Sequence, residues 1–440
     1  MKKTLFSIAL LAMATMTIVG CKSKDYLASN EKKYQSWVTN NPDCQDGTCY
    51  MVSGRMDEPA YNGHMVYLAT KAPVMDEDGI YIVSTVIDSA VVTDQTFTFK
   101  GKTPWSQLAI IRSEDVDDRY LFINLVLEPG STTAVITSAD STDFIGGTEA
   151  NNRYQAFQEK KRAMESGMEK KYAKTMERLN EIEELLDTGE KTIDDFDSVE
   201  LENLINEYME MSFDGYQQAL TLYWDLYHEN EQNALSFLAL NELRALDENF
   251  EDKEYIVNMM PTASKDSRSL LEMMLSAIEA QEKAEAELRA KQDATSEGRK
   301  YINVNGTLQV KEGDQWKSSE GSLKDLIDGK VAVVDFWASW CGPCRREIKE
   351  TLLGLHEKYK NQGVVVVGLD VWDMLEAHDN AVEELGITYP QLIDIDEVST
   401  EIYGIEGIPT IFVIAPDGTI LGRDLRGEEI EEAVLRALNK

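Results

Sequence analysis

Residues 331–344 read VAVVDFWASWCGPC, and this stretch decides the fold of the C-terminal part of the chain. Residues 331–336 form an apolar run interrupted only by Asp335, which is typical of a central strand buried on both faces of a parallel or mixed sheet. A helix is predicted to begin near Cys341, because Pro343 then lies in the first turn. Amides in the first turn have no acceptor within the helix, so the amide hydrogen that proline lacks is not needed there. The sequence therefore predicts a strand–turn–helix unit with Cys341 at the helix N-terminus.

Cys341 and Cys344 are the candidate catalytic residues. A thiolate is the attacking species in disulfide exchange, and the free amide groups and dipole at a helix N-terminus stabilise its charge. Cys344, one turn further on, is positioned to attack a mixed disulfide formed on Cys341. Asp335 precedes both on the strand, and a carboxyl buried there has a raised pKa, which suits proton transfer to and from the inner thiol.

Residues 337–344, with Asp335 before them, resemble the thioredoxin active-site signature. Residues 407–410, Gly-Ile-Pro-Thr, resemble the cis-proline loop of the same family. The resemblance implies a proline opposite the cysteine pair, whose backbone pairs with an extended substrate segment. The substrate-binding residues that it implies are Trp340, Gly342, Pro343, Ile408 and Pro409.

The segment between Gly363 and Pro409 is longer than its counterpart in a plain thioredoxin. It is predicted to hold a strand at 364–371, a helix near 377–385 and then the sequence GITYP at 386–390. This insertion is similar to that of the TlpA/ResA-like family of membrane-tethered periplasmic thioredoxins. The resemblance implies two kinds of partner, disulfide-containing exported proteins and an inner-membrane electron donor; we expect no cofactor and no metal.

Two features depart from these families. Plain thioredoxins carry a lysine after the second core strand that pairs with the buried acid, whereas residues 365–370 here read VVVGLD, without a lysine. TlpA/ResA-like reductases often use a glutamate near the site, and the sequence does not place one. The spacer Gly342-Pro343 is of the kind that thioredoxin-type reductants share, which favours reduction as the direction of reaction.

The N-terminus predicts export. Lys2 and Lys3 precede an apolar run at residues 5–19, which is shorter than the ~20 residues of a membrane-spanning helix. The run ends in Ile-Val-Gly-Cys21, which resembles a bacterial lipobox and implies that residues 1–20 are a signal peptide and that Cys21 is lipidated. An ordinary signal peptide with a chance cysteine is the alternative. The expected location is the cell envelope, facing the periplasm, with the choice of inner or outer membrane left open.

Composition limits the other classes of function. The chain has 440 residues, 43% of them hydrophobic and 28% charged, which indicates several globular domains rather than a disordered protein. Acidic side chains number 79 against 43 basic ones, for a net charge of −36. Such a surface repels phosphate backbones, so we expect no nucleic-acid binding.

The remaining cysteines form a second close pair, Cys44 and Cys49, on either side of the turn signal Asp46-Gly47. A structural disulfide is the simpler interpretation in an oxidising compartment, and a second redox centre is the alternative. Structural zinc needs four ligands close together. The two cysteine pairs lie in different predicted domains and the four histidines are scattered, so zinc binding is not expected.

The predicted domain order is a tether at 21–48, an all-β sandwich or barrel at 49–148, a helical region at 149–298 and an α/β thioredoxin-like domain at 299–440. The all-β part resembles DUF4369, a domain of unknown function found ahead of thioredoxin-like domains in Bacteroidetes lipoproteins. The matching motifs are Asp88-Ser89-Ala90, residues 97–101, Leu127-Glu128-Pro129-Gly130, and Gly146-Gly147-Thr148 followed by Asn151-Asn152. Apolar residues spaced three and four apart predict antiparallel helices in the middle region, with breaks at 187–189 and near Pro261.

The sequence thus predicts a lipid-anchored protein-disulfide reductase. Two other functions stay open. One is a binding or scaffold lipoprotein with an accessory thioredoxin-like domain, because residues 49–298 contain no catalytic motif. The other is a peroxiredoxin-type antioxidant, which shares the fold but uses a peroxidatic cysteine without a CxxC partner.

Overall fold

The computed structural model describes residues 19–76, 78–114, 121–138, 141–313, 315–393 and 398–439. The chain divides into two compact units, Met1–Glu279 and Ala280–Lys440. Most of the predicted signal peptide and the side chain of Cys21 lie outside the described residues. No helix within the described ranges has an apolar stretch long enough to cross a bilayer.

The first unit contains two four-stranded sheets. Its strands are β1 (Cys49–Met56), β2 (Met65–Asp76), β3 (Gly79–Val91), β4 (Thr96–Lys102), β5 (Gln107–Ser113), β6 (Phe122–Leu127), β7 (Gly130–Ser138) and β8 (Ser141–Gly146). The strand orders are β4-β1-β7-β8 and β3-β2-β5-β6. In β4, Phe97 and Phe99 are buried while Thr98 and Lys100 are exposed, the alternation of a strand with one face on a core. The all-β prediction is confirmed.

The helices of the first unit are α1 (Val19–Asn40), α2 (Glu149–Lys171), α3 (Ala173–Asp187), α4 (Ser198–Glu229), α5 (Ala234–Leu246), α6 (Lys253–Met259) and α7 (Lys265–Ala294, which continues into the second unit). The breaks expected at 187–189 and near Pro261 fall at the ends of α3 and α6. One core cluster runs from Tyr50 and Phe97 of the strands to Phe237 and Leu271 of the helices. The β-rich and helical regions therefore share a core instead of folding as separate layers.

The tether prediction is wrong for the segment that forms α1. Three of its side chains bond to the first sheet: Tyr26 Oη donates to Gly54 O at 3.1 Å, Asn30 Nδ2 to Thr133 Oγ1 at 3.1 Å, and Tyr34 Oη to Cys49 O at 3.0 Å. They are spaced four residues apart and so share one helix face. The polar composition of this segment predicts a tether. In the structure, its polar side chains form hydrogen bonds with strands β1 and β7.

A disulfide joins Cys44 to Cys49, linking a helical turn at Pro42–Cys44 to the first residue of β1. Both cysteines are buried. This arrangement matches the structural interpretation, because the bond closes the chain between α1 and the sheet against which α1 packs.

Replacing both residues in a Cys44→Ala, Cys49→Ala variant is expected to destabilise the first unit by about 2 kcal/mol. The bond closes a loop with a sequence separation of 5, and a loop of that size restricts the unfolded chain by roughly that amount. Urea unfolding followed by far-ultraviolet circular dichroism measures the loss. Insulin reduction by the variant should match wild type; a loss of activity at unchanged stability would instead indicate a second redox centre.

The second unit is built on a seven-stranded sheet of order β10-β9-β13-β12-β11-β14-β15. Its strands are β9 (Asn305–Glu312), β10 (Gln315–Ser322), β11 (Val331–Trp337), β12 (Val364–Asp370), β13 (Gln391–Ile393), β14 (Thr410–Ile414) and β15 (Ile420–Gly422). Its helices are α8 (Leu323–Ile327), α9 (Gly342–Glu347), α10 (Leu353–Tyr359), α11 (Leu375–Leu385), α12 (Val398–Tyr403) and α13 (Glu428–Leu438). A π-helical turn, Ile348–Leu352, joins α9 to α10.

The strand β11 lies at the centre of this sheet, parallel to β12 and antiparallel to β14. All of its residues are buried, as expected for an apolar run with layers on both faces. The strand and helix predicted between Gly363 and Pro409 are β12 and α11. The α/β prediction for the C-terminal domain is confirmed, although the second compact unit already begins at residue 280.

Candidate active site

The alternation of β11 places Asp335 on the same sheet face as the cysteine pair. Val333 and Trp337 belong to the core cluster that contains both cysteines, whereas Val334 and Phe336 belong to the cluster on the opposite face. Side chains two residues apart on a strand share a face. Asp335 therefore lies on the sheet face of the cysteines.

Cys341 caps the N-terminus of α9. Its backbone is extended, with φ −78° and ψ 100°, and its Sγ accepts a hydrogen bond from the amide of Cys344 at 3.2 Å. Pro343 lies in the first turn, as predicted. A sulfur that accepts an amide at a helix N-terminus is stabilised as a thiolate, both by that bond and by the dipole.

Cys341 and Cys344 form a disulfide, so the structure represents the oxidised enzyme. Cys341 is 3% exposed and Cys344 0%. Cys341 caps the helix, whereas Cys344 is fully buried within its first turn, so exchange with other proteins is expected at Cys341 and Cys344 is the internal partner.

The loop before β14 lies against the disulfide. The carbonyl oxygen of Ile408 is 3.7 Å from Cys341 Sγ, and the peptide bond between Ile408 and Pro409 is cis. The carbonyl of Pro409 accepts a hydrogen bond from the guanidinium of Arg426, which holds the loop from the side of α13. Ile408, one of the two loop residues chosen from the sequence, thus contacts the sulfur of Cys341, and Pro409 follows it in the same loop.

Trp340 gives the site an exposed apolar surface. Its side chain is 62% exposed, and its indole N–H donates to the carbonyl of Trp372 at 2.9 Å. Gly342 is exposed beside it and has no neighbour that a Cβ atom would touch. A large aromatic side chain that stays exposed next to a reactive pair is suited to contact with a protein substrate.

Asp335 is completely buried, and neither carboxyl oxygen has a hydrogen-bond partner among the described residues. Burial raises the pKa of its carboxyl to about 8; the Arg426 guanidinium opposes this rise, and the Glu347 carboxylate adds to it. A carboxyl with that pKa exchanges protons near neutral pH, which is what a thiol–disulfide centre requires of its acid–base group.

Glu347 and Tyr389 were not identified from the sequence. Glu347 lies three residues after Cys344 on α9, and its Oε1 accepts a hydrogen bond from the amide of Gly427 at 2.9 Å. The spacing i, i+3 from Cys344 was the available signal, since it places both on one helix face. The buried hydroxyl of Tyr389 has no partner in the described part of the chain, and burial together with the Asp335 charge raises its pKa well above 10.

Among the described residues, one group of acidic and histidine side chains is compact enough to share a metal ion: Asp370, Asp373 and His378, whose candidate ligand atoms lie within 4.8 Å of one another. In this oxidised state the sulfurs of Cys44, Cys49, Cys341 and Cys344 are bonded in pairs. Asp370 and His378 contact each other directly, with Oδ1 and Nδ1 3.1 Å apart.

A disulfide that begins a helix, a buried carboxyl on the preceding strand and a cis-proline loop define a thiol–disulfide oxidoreductase of thioredoxin fold. The AhpC/TSA family matches residues 305–422, and DUF4369 matches residues 50–154. The thiol-disulfide oxidoreductase ResA of Bacillus thuringiensis subsp. konkukian is 32% identical over 123 residues, which are 28% of this chain and 70% of that protein. The chain belongs to the ResA-like family of thiol-disulfide oxidoreductases and carries an N-terminal DUF4369 domain.

Other relatives match a similar share of the chain. ResA of Bacillus anthracis is 35% identical over 118 residues, which are 27% of this chain and 66% of that protein. The thioredoxin domain of a thiol-disulfide oxidoreductase from Bacteroides vulgatus covers 33% of this chain and 99% of its own, with 28% identity and a TM-score of 0.30. The chain thus spans about two thirds of the length of these ResA proteins.

Proposed function

We propose that the protein is a membrane-tethered thiol–disulfide oxidoreductase that faces the periplasm and reduces disulfides in exported proteins. The observation that carries the proposal is the position of Cys341, whose sulfur accepts the Cys344 amide at a helix start on the same sheet face as the buried Asp335. This arrangement supplies a stabilised thiolate, a resolving thiol and a proton carrier within one core.

The reaction proceeds in two exchanges. The Cys341 thiolate attacks one sulfur of the substrate disulfide; that S–S bond breaks, a mixed disulfide forms, and the substrate's other sulfur leaves as a thiolate and takes up a proton. Asp335 accepts the proton of Cys344, whose thiolate then attacks the sulfur of Cys341. The mixed disulfide breaks, the Cys341–Cys344 disulfide forms, and the second substrate sulfur leaves. Two electrons pass from the enzyme dithiol to the substrate.

Renewed turnover needs a reductant, and we assign this role to a dithiol electron donor of the inner membrane. The donor's thiolate attacks Cys341, and the same two exchanges run in reverse. The lipobox-like sequence that ends in Cys21 supports a lipid anchor, which would keep the protein at the membrane. The paired use of the other four cysteines supports an oxidising compartment.

A redox titration tests the direction of the reaction. The protein is equilibrated with glutathione buffers and its free thiols are then trapped. The expected potential is about −270 mV, as in thioredoxin, because Gly342-Pro343 is the spacer of reducing relatives. A value near the about −120 mV of strong oxidants would contradict the reductase proposal. Insulin reduction with dithiothreitol as donor measures turnover directly.

The same preparation separates the competing functions. A peroxidase would consume hydrogen peroxide with a thiol donor and would need only one of the two cysteines, whereas a reductase needs both. A binding module would retain its partner after both cysteines are changed to serine.

Fractionation of cells labelled with a palmitate analogue tests the anchor: a Cys21→Ser variant should lose the label and leave the membrane fraction.

A further inference from the structure

Behind the active-site loop lies a polar cluster to which the reaction gives no role. Asp370 ends β12, Asp373 follows three residues later, and His378 lies on α11. Asp370 is 3% exposed and His378 0%. Asp370 Oδ1 lies 3.1 Å from His378 Nδ1, and a carboxyl oxygen of Asp373 lies within 4.8 Å of the ligand atoms of both residues. A chain of contacts therefore runs from a buried imidazole to Asp373.

Asp373 holds the loop that leads into Cys341. Its Oδ2 accepts a hydrogen bond from the amide of Ser339, and its Oδ1 accepts from Ser339 Oγ at 2.9 Å and from the amide of Met374 at 2.8 Å. Ser339 lies two residues before Cys341, which limits its Cα to within about 7 Å of the Cα of the attacking residue. Asp373 thus bonds to the loop that leads directly into Cys341.

Two more contacts fasten the same loop. The carbonyl of Ser339 accepts from Arg345 Nη1 at 3.1 Å, and Trp340 donates to the carbonyl of Trp372. Trp372 has φ +55°, a left-handed conformation that is unfavourable for a bulky side chain. A residue stays in such a conformation only when surrounding contacts enforce it, and strained positions of this kind concentrate at functional sites.

The buried pair explains why Asp373 stays in place. Two carboxyl groups in contact repel when both are ionised, and a partly buried carboxylate needs donors. His378 compensates Asp370 from one side, while Ser339 and Met374 supply the donors for Asp373. Burial and the neighbouring Asp373 raise the pKa of the Asp370 carboxyl, and the His378 imidazole opposes that rise.

We propose that Asp373 is a positioning residue for the Cys341–Cys344 couple, held by the Asp370–His378 pair, and that its negative charge keeps the couple reducing. A carboxylate close to a sulfur disfavours the thiolate. Since the thiolate exists only in the reduced state, that state is destabilised and gives up its electrons more readily. This inference rests on the proposed reductase function and adds the residue that sets its driving force.

Asp373→Asn tests the charge, because asparagine keeps the shape and one acceptor oxygen while removing the negative charge. The equilibrium constant with glutathione should shift about tenfold toward the dithiol, because one negative charge is removed from a partly buried position near the couple. A tenfold shift corresponds to about 30 mV. The alkylation rate of Cys341 at pH 7 should rise in the same variant. Glu376→Gln is the matched control, since Glu376 is an exposed carboxylate in the first turn of α11.

Ser339→Ala tests the position separately. It removes the hydroxyl donor but leaves the charge of Asp373, so the equilibrium constant should stay at the wild-type value while the rate of insulin reduction falls several-fold. His378→Gln, which removes the imidazole that contacts Asp370, should lower the rate as well. Thermal unfolding of each variant shows whether the fold is retained, and Ser339→Ala keeps the test available if Asp373→Asn fails to fold.

The proposal is overturned if Asp373→Asn and Glu376→Gln leave the glutathione equilibrium equally unchanged. It is also overturned if the wild-type protein binds one equivalent of Zn²⁺ and Asp373→Asn abolishes that binding, because the cluster would then be a metal site. A wild-type protein that fails to reduce insulin contradicts the proposed function itself. If the wild-type protein reduces insulin but Asp373→Asn leaves the glutathione equilibrium unchanged, only this inference is contradicted.

Discussion

A Cys344→Ser variant is expected to stop after a single exchange and to remain linked to its substrate through Cys341. Cys344 is fully buried, and its sulfur is bonded to Cys341 in the oxidised state. It is therefore the thiol that resolves the mixed disulfide from inside, and serine cannot do so. Catalytic insulin reduction should be lost, and non-reducing electrophoresis of the variant from whole cells should show adducts that dithiothreitol releases.

Cys341→Ser should lose turnover as completely but form no adducts, because the attacking sulfur is gone. In the reduced wild-type protein, Cys341 should alkylate at pH 7 about tenfold faster than an ordinary thiol, since the free amides and the dipole of a helix N-terminus stabilise the thiolate. The Cys44→Ala, Cys49→Ala variant serves as the control for general loss of cysteine. Adducts on Cys341→Ser, or equal alkylation rates, would contradict the assigned roles.

Asp335→Asn is expected to remove a large pH dependence of stability. Burial raises the carboxyl pKa from 3.8 to about 8, so between these values the folded protein holds a proton that the unfolded chain releases. The unfolded state then binds fewer protons, and stability falls as pH rises. The group's contribution is fully present below about pH 4 and lost by about pH 9, a difference on the order of 5 kcal/mol.

Urea unfolding of the oxidised protein at intervals from pH 4 to pH 9 measures this effect. The free energy of unfolding of wild type minus that of Asp335→Asn should fall across the range, because asparagine does not titrate. Asp370→Asn offers a comparison, since burial raises the pKa of the Asp370 carboxyl too but a histidine compensates it. A difference that is flat from pH 4 to pH 9 would show that Asp335 is not held protonated.

The same substitution should slow resolution. Proton transfer by a positioned side chain contributes about 10²-fold or more, so Asp335→Asn should prolong the mixed disulfide by roughly that factor while the first attack by Cys341 is little changed. Stopped-flow measurement with a fluorescent disulfide peptide separates the two steps. Equal slowing of both steps would point to a structural role.

Local rules were sufficient for the reactive centre. An apolar run predicted the buried strand β11, Pro343 predicted the helix start, and the position of Asp335 on that strand predicted a buried carboxyl. Each of these depends on neighbours only a few residues away, where strand and helix periodicity hold. The same applies to the disulfide between Cys44 and Cys49, which spans one turn.

Other features depend on distant segments. The sequence predicts a tether for α1 because its polar residues do not reveal their partners. Those partners, Gly54, Thr133 and Cys49, accept hydrogen bonds from side chains of α1 and are distant in the sequence. Glu347 and Tyr389 reach the surroundings of Asp335 from separate elements, and no spacing in the sequence relates Tyr389 to β11. Sequence patterns cannot predict contacts between residues that are distant in the chain and are brought together only by the order of the strands in the sheet.

The chain by itself determined what the reactive sulfur is and why it is reactive, because a thiol at a helix start depends on a short, contiguous stretch. Only the tertiary structure decided the surroundings that tune it. Asp373 lies 34 residues from Ser339 and meets it because β11 and β12 are adjacent parallel strands whose ends share one edge of the sheet. Burial and charge act through space, so the residues that set a pKa or a potential become visible only once the fold has placed them.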